Sequence, residues 1–236
     1  MSIVIDTGTV VTSRVDPGAH PYTSDYSGLI QRVRDAGLLK RRPGYYAVLS
    51  SILAVVLAIT VAAMVVLGTS WWAVALAPIL AVVLTQFAFL AHELAHKAVF
   101  ASGTANDTWG RIIANLVVGI SYSWWMNKHS RHHANPNTVG KDPDIESDVV
   151  VFQEDKAPTT TGLQRAIVKR QGWLFFPLLT LEGLNLHVQG FKSAFSKGKV
   201  DRRGSEIAML FARHITLFGL VFWFMPWGVG SVFLVT

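Results

Sequence analysis

The chain contains no cysteine in 236 residues. That excludes thiolate-ligated zinc, iron–sulfur clusters and a disulfide framework, and it fits a reducing compartment. Charge is scarce as well. Asp, Glu, Lys and Arg supply 15% of the residues against 51% hydrophobic ones, with a mean hydropathy of +0.37. Soluble domains carry about 25% charged residues, so the composition points to a bilayer instead. Also missing are a Gly-rich dinucleotide fingerprint, a haem-attachment motif, an internal repeat and a low-complexity tract, so no reductase module is evident in the chain. No cleavable signal peptide is evident, because the first apolar run begins only after Pro43. No base-stacking pattern accompanies the net charge of +6 and pI of 9.7. Basic residues facing anionic lipid account for that charge without nucleic acid.

The apolar residues are concentrated. Ala47 to Leu67 is one weakly polar stretch, and Trp72 to Ala91 is a second, interrupted only by Pro78, Thr85 and Gln86. Each has about the 20 residues that a helix needs to cross a hydrocarbon core. Gly68-Thr69-Ser70-Trp71 joins them, which predicts a helical hairpin with tryptophans at the far interface. A third span is expected from near Ile207 to about Trp227, with a turn at Met225-Pro226-Trp227-Gly228. Gly228 to Thr236 then reads as the start of a fourth. The expected fold class is an all-α integral membrane protein: a transmembrane hairpin, a cytoplasmic histidine-bearing region, a third transmembrane helix and the start of a fourth.

Residues 1–26 read as a loose leader and 27–236 as one membrane domain. Within it, Ser27 to Leu39 carries Leu29, Ile30, Val33 and Leu38 among Arg32, Arg34 and Asp35, the pattern of an amphipathic helix lying on a membrane surface. Arg32, Arg34, Lys40, Arg41 and Arg42 precede the first span. Lys97, Arg111, Lys128, Arg131 and Lys141 follow the second, while Gly68 to Trp71 is uncharged. The positive-inside rule therefore puts the N-terminus and the histidine region in the cytoplasm of a multi-pass protein.

Five of the eight histidines fall in two boxes, His92-Glu93-Leu94-Ala95-His96 and His129-Ser130-Arg131-His132-His133. Spacings of three and four residues put rings on one helix face, so each box looks like half of a metal site. Ile112 to Tyr122 between them is apolar but too short to span, so it is expected to dip into the interface and return, bringing both boxes to one side. The plainer reading, ordinary interfacial histidines, would serve for one residue better than for five. A sharper alternative is hidden in the first box, since His92, Glu93 and His96 satisfy the H-E-x-x-H pattern of zinc proteases, with Glu93 as general base. A single zinc would leave the three-histidine second box unexplained.

An HxxxH box closing an apolar hairpin, followed by HxxHH, resembles the membrane fatty acid desaturase and hydroxylase superfamily. The stretch Trp124-Trp125-Met126-Asn127-Lys128-His129-Ser130-Arg131-His132-His133-Ala134-Asn135-Pro136-Asn137, with Asp142-Pro143-Asp144 after it, is most similar to bacterial acyl-CoA or acyl-lipid desaturases. The likeness extends from about Gly28 to the end of the chain. It implies a non-haem centre of two iron ions, held here by His92, His96, His129, His132 and His133, that uses O2 and two electrons to introduce a double bond into a fatty acyl chain. It also implies an acyl-CoA or acyl-lipid substrate, membrane lipid around the helices, and an external electron donor such as a ferredoxin or a cytochrome with its reductase. The family's third box, QxxHH or HxxHH, has no counterpart. The expectation is a C-terminally incomplete desaturase, with a related hydroxylase, the intramembrane zinc protease and a non-catalytic remnant as alternatives. His187 is either a further ligand or a surface anchor on an interfacial helix from Trp173 to His187. Arg213 is expected to snorkel and His214 to be structural. Asp142, Asp144 and Glu146 either orient the imidazoles of the second box by hydrogen bonds or form a solvated turn, and the turn is the preferred expectation.

Overall fold

A computed structural model of the chain describes residues 26–146, 149–198 and 200–236. Among the described residues every regular element is helical, as expected. The leader expected over residues 1–26 lies outside them but for Tyr26, as does His20. The described residues fall into two units, 26–41 and 42–236. In the first, α1 (Tyr26–Asp35) is the expected amphipathic helix and ends where Gly37 turns to φ +72°.

The second unit is built on three helices long and apolar enough to cross a membrane: Pro43–Leu67, Trp71–Ala95 and Arg203–Phe224, of 25, 25 and 22 residues. The longest span roughly 37 Å at 1.5 Å per residue, more than the hydrocarbon thickness of about 30 Å. In α2 (Pro43–Leu67), Pro43 begins the helix, where its missing N–H costs nothing. Val48, Ile52, Val55 and Ile59 form an exposed apolar stripe along α2, which lipid would cover. α3 (Leu76–Ala95) does not begin at Trp72. A tight 3-10 turn over Trp71–Ala75 precedes it, capped by the Ser70 hydroxyl accepting from the Trp72 N–H at 3.2 Å. α9 (Arg203–Phe224) is the third of these helices, and α10 (Trp227–Val235) starts after the break at Met225-Pro226.

The far end of the hairpin has its own core. Met64, Ala73, Ala77 and Leu80 pack with Val221, Met225, Val229 and Phe233. Gly68 permits this, because a Cβ there would run into the Phe224 carbonyl. Trp71, Trp72, Trp223 and Trp227 stay exposed at this end, the aromatic belt expected at an interface.

The second core sits towards the other end, where Leu53, Phe87, Leu90, Leu94, Ile113, Val118 and Tyr122 bury against one another. The chain leaves α3 at His96 and reverses through Lys97 at φ +59°. It continues as α4 (Gly103–Arg111) and a π-helical segment over Ile112–Val118. That segment packs on α3 and α9 and ends at Gly119, φ +95°. A side chain at Gly119 would crowd Arg213, His214 and His187. α5 (Tyr122–Ala134) follows and returns to the end of α3. The return expected between the two boxes runs through this π-helical turn.

Beyond α5 come α6 (Gly162–Val168), α7 (Gln171–Leu179) and α8 (Glu182–Phe195). The single helix expected from Trp173 to His187 is broken at Thr180-Leu181. Pro177 offers no backbone donor, and the Thr180 hydroxyl donates to the Pro177 carbonyl at 2.6 Å, competing with the helix ladder.

Candidate metal centre

His92 lies in the last turn of α3 and His96 just beyond it, while His129, His132 and His133 lie on α5. Four of these five come together. One ring nitrogen from each of His92, His96, His129 and His133 lies within 4.8 Å of the others. The Nε2 atoms of His96 and His129 are 3.0 Å apart, and ring centroids are separated by 4.3 Å for His129–His133 and 4.6 Å for His92–His96. Such rings either share a proton or converge on a cation, and an all-nitrogen set of neutral imidazoles suits first-row metals such as iron. Burial, reinforced by His133, His92, His96 and His132, pushes the His129 imidazole down to about 4. Its ring is therefore neutral at pH 7, the form that can donate to a metal.

His132 differs. Its ring is 5.7 Å from that of His133, but its Nδ1 lies 3.0 Å from Asp142 Oδ2 and 3.2 Å from Asp144 Oδ2. The five boxed histidines thus divide into a group of four and one at its margin. Asp144 and Glu146 are exposed, as the expected solvated turn requires, but Asp142 is not. Asp142 is fully buried, because the chain wraps around it from Asn135 to Glu146. Burial opposes its ionisation, yet bonds from the Asp144 and Asn137 N–H groups and the His132 ring outweigh this and hold the carboxyl below its ordinary range. Glu146 is pulled down to about 2, first by Lys156 and then by the Gly140 N–H and Gln153.

Three further features escaped the sequence reading. Trp125 stacks on His129 and meets His92 edge-on; its position four residues before His129 on a helix was the available signal. Tyr46 donates from its hydroxyl to Glu93 at 3.0 Å, tying the carboxylate to α2 rather than leaving it to activate water. Arg111 on α4, Ser121 and Ser123 at the start of α5, and Glu206 on α9 form a buried polar network with no local sequence signal. His187 and His214 sit apart from the four-imidazole group and pair with each other, ring centroids 5.4 Å apart. Arg213 does not snorkel free: its Nε donates to the Val117 carbonyl at 2.7 Å.

A family profile described as fatty acid desaturase matches residues 69–236. The chain is 26% identical over 196 residues to a Delta(8)-fatty-acid desaturase of Helianthus annuus, covering 78% of this chain and 43% of that protein. It is 29% identical over 134 residues to an acyl-lipid (9-3)-desaturase of Borago officinalis, covering 52% and 30%. It is 32% identical over 167 residues to fatty acid desaturase 3 of Homo sapiens, covering 66% and 37%. The chain therefore spans less than half the length of these relatives. No solved structure matches it significantly.

Proposed function

The chain belongs to the fatty acid desaturase family, and from that premise we propose that it carries the metal-binding part of an O2-dependent fatty acyl desaturase. The observation that carries this reading is the four-imidazole group assembled from two helix ends beside an apolar helical hairpin. Its donor set fits the two iron ions that the family implies. His92, His96, His129 and His133 would hold metal directly, with His132 as the fifth ligand at the margin. When bound, iron supplies the O2 chemistry by which a saturated C–C pair loses two hydrogens, O2 taking them with two electrons and two protons to leave as two waters.

The chain's own residues do the rest. α3 and α5 set the spacing between the imidazoles, Trp125 holds the plane of His129, and burial keeps that ring unprotonated. Substrate is a fatty acyl chain on CoA or lipid, entering from the bilayer around α2, α3 and α9. The two electrons come from an external ferredoxin or cytochrome-type donor. The Lys and Arg distribution supports a multi-pass topology with the N-terminus and both boxes in the cytoplasm.

Expression in a host of known lipid composition, followed by gas chromatography of its fatty acids, tests this. A new double bond that depends on His129 and His133 is the expected result. A hydroxylated product would move the chain to the hydroxylase branch, which the same ligands could serve. The protease reading is disfavoured by the Tyr46–Glu93 hydrogen bond and by a third and fourth imidazole where a single zinc needs one further protein ligand.

A further inference from the structure

Asp142 is fully buried although residues 136–141, just before it, are exposed. Its carboxylate takes a bond from the Asn137 N–H on Oδ2 at 2.7 Å and one from the Asp144 N–H on Oδ1 at 2.9 Å. The third donor is the His132 ring, whose Nδ1 lies 3.0 and 3.1 Å from the two oxygens. The turn is shaped for this. Asn137 at φ +56° and Gly140 at φ +75° reverse the chain, and Glu146 clamps it by accepting from the Gly140 N–H and from Lys156. Lys128 pairs with Asp144 at 2.9 Å.

An ionised carboxylate only accepts hydrogen bonds, so this contact requires the His132 proton to be on Nδ1. A neutral ring then has its lone pair on Nε2, and a carboxylate behind a ring makes that nitrogen a better donor to a metal. His92 has no equivalent: its Nδ1 is 3.9 Å from Glu93, beyond hydrogen-bond reach.

We propose that Asp142 is a positioning residue that locks His132 in the Nδ1–H tautomer, aiming its Nε2 at a metal ion beside the four-imidazole group. This rests on the metal-centre reading above, and it assigns Asp142 a part in that centre without contact to metal or substrate. Asp144, half-exposed and shared with Lys128, is the weaker arm.

The test uses the whole chain in detergent. Nitrogen-15 NMR of the histidine rings in the metal-free protein reads the His132 tautomer directly, and titration with Co(II) reads affinity. The wild type should show His132 protonated on Nδ1. Asp142→Asn keeps one acceptor oxygen for the turn's two backbone N–H donors, and the resonances of the four grouped histidines should stay in place. It should release the tautomer and weaken Co(II) binding about 10- to 100-fold at the His132 position. Asp142→Glu should recover part of this, and Asp144→Asn should lose less. A wild-type His132 protonated on Nε2 would overturn the proposal, as would Asp142→Asn binding Co(II) as tightly as wild type. Those results leave the metal centre standing; a wild type that binds no Co(II) at all overturns both.

Discussion

Trp125 lies flat against His129, ring centroids 4.3 Å apart and planes inclined by 18°. The two are one helical turn apart on α5, so the helix sets the overlap. A stacked pair of this kind is worth about 0.5–1.5 kcal/mol beyond its buried area, and here it fixes the plane in which the imidazole can donate. Trp125→Ala should weaken metal binding by roughly 2- to 13-fold, which is that energy expressed as an affinity, while Trp125→Phe should retain most of it. Metal titration of the two variants checks this. Equal affinities for Ala and wild type would mean that the stack has no part in holding His129.

Glu93 separates two chemistries. In an H-E-x-x-H protease it would activate a metal-bound water, and Glu93→Gln would abolish activity with metal still bound. Here its carboxylate accepts from the Tyr46 hydroxyl at 3.0 Å and links α3 to α2. Glu93→Gln and Tyr46→Phe should therefore each act on stability, by about 0.5–1.5 kcal/mol for one such bond, and leave the metal content unchanged. His129→Ala with His133→Ala should remove metal outright. Elemental analysis beside denaturant titration in detergent distinguishes the cases. Metal retained in the double histidine variant would sink the four-imidazole assignment.

The depressed His129 imidazole gives the metal-free chain a defined acid response. Its value in the fold is about 4 against an ordinary 6.5, so the folded state resists the proton that the unfolded chain accepts. Stability is full above pH 6.5 and falls as pH drops towards 4, the unfolded state binding more protons across that window. Below it both states are protonated and the loss levels off. Unfolding midpoints between pH 7.5 and 4 should fall more steeply for wild type than for His129→Gln. Parallel curves would show that the fold does not discriminate against the charged ring.

How much of this was readable beforehand depends on range. The spans were legible because about 20 apolar residues have few alternatives, and the boxes because i, i+3 and i+4 positions share a helix face whatever surrounds it. The division between His132 and its neighbours was not, since HxxHH spacing allows all three rings on one side and does not decide between a carboxylate that backs His132 and a solvated turn. Asp142-Pro143-Asp144 carries the composition of an exposed turn. Its burial follows from the chain wrapping back on His132, a tertiary event. The break at Thr180 could have been read from Pro177, but the apolar run around it masks the boundary.

Glu206 is the most distant case, and it makes the last prediction. It sits in the first turn of α9, fully buried, and accepts from the Ser121 hydroxyl and from Ser123 at 2.6 Å. Arg111 approaches it at 3.4 Å and also pairs with Asp201 at 2.6 Å. Ser121 is the residue that caps α5, its hydroxyl accepting from the Trp124 N–H, so the carboxylate anchors the start of the helix that carries three of the boxed histidines. Removing one member of a buried pair strands the other and costs about 3–5 kcal/mol, whereas an exposed partner is worth about 0–1 kcal/mol. Asp201 is largely exposed and Glu206 is not. Glu206→Ala should thus destabilise the protein by about 3 kcal/mol and Asp201→Ala by less than about 1 kcal/mol, read by denaturant titration in detergent. Arg111→Ala in the Glu206→Ala background should cost little more, because the two act as one unit. Additive losses would mean that Arg111 and Glu206 stabilise separate parts of the fold, and that α5 is not held through this network.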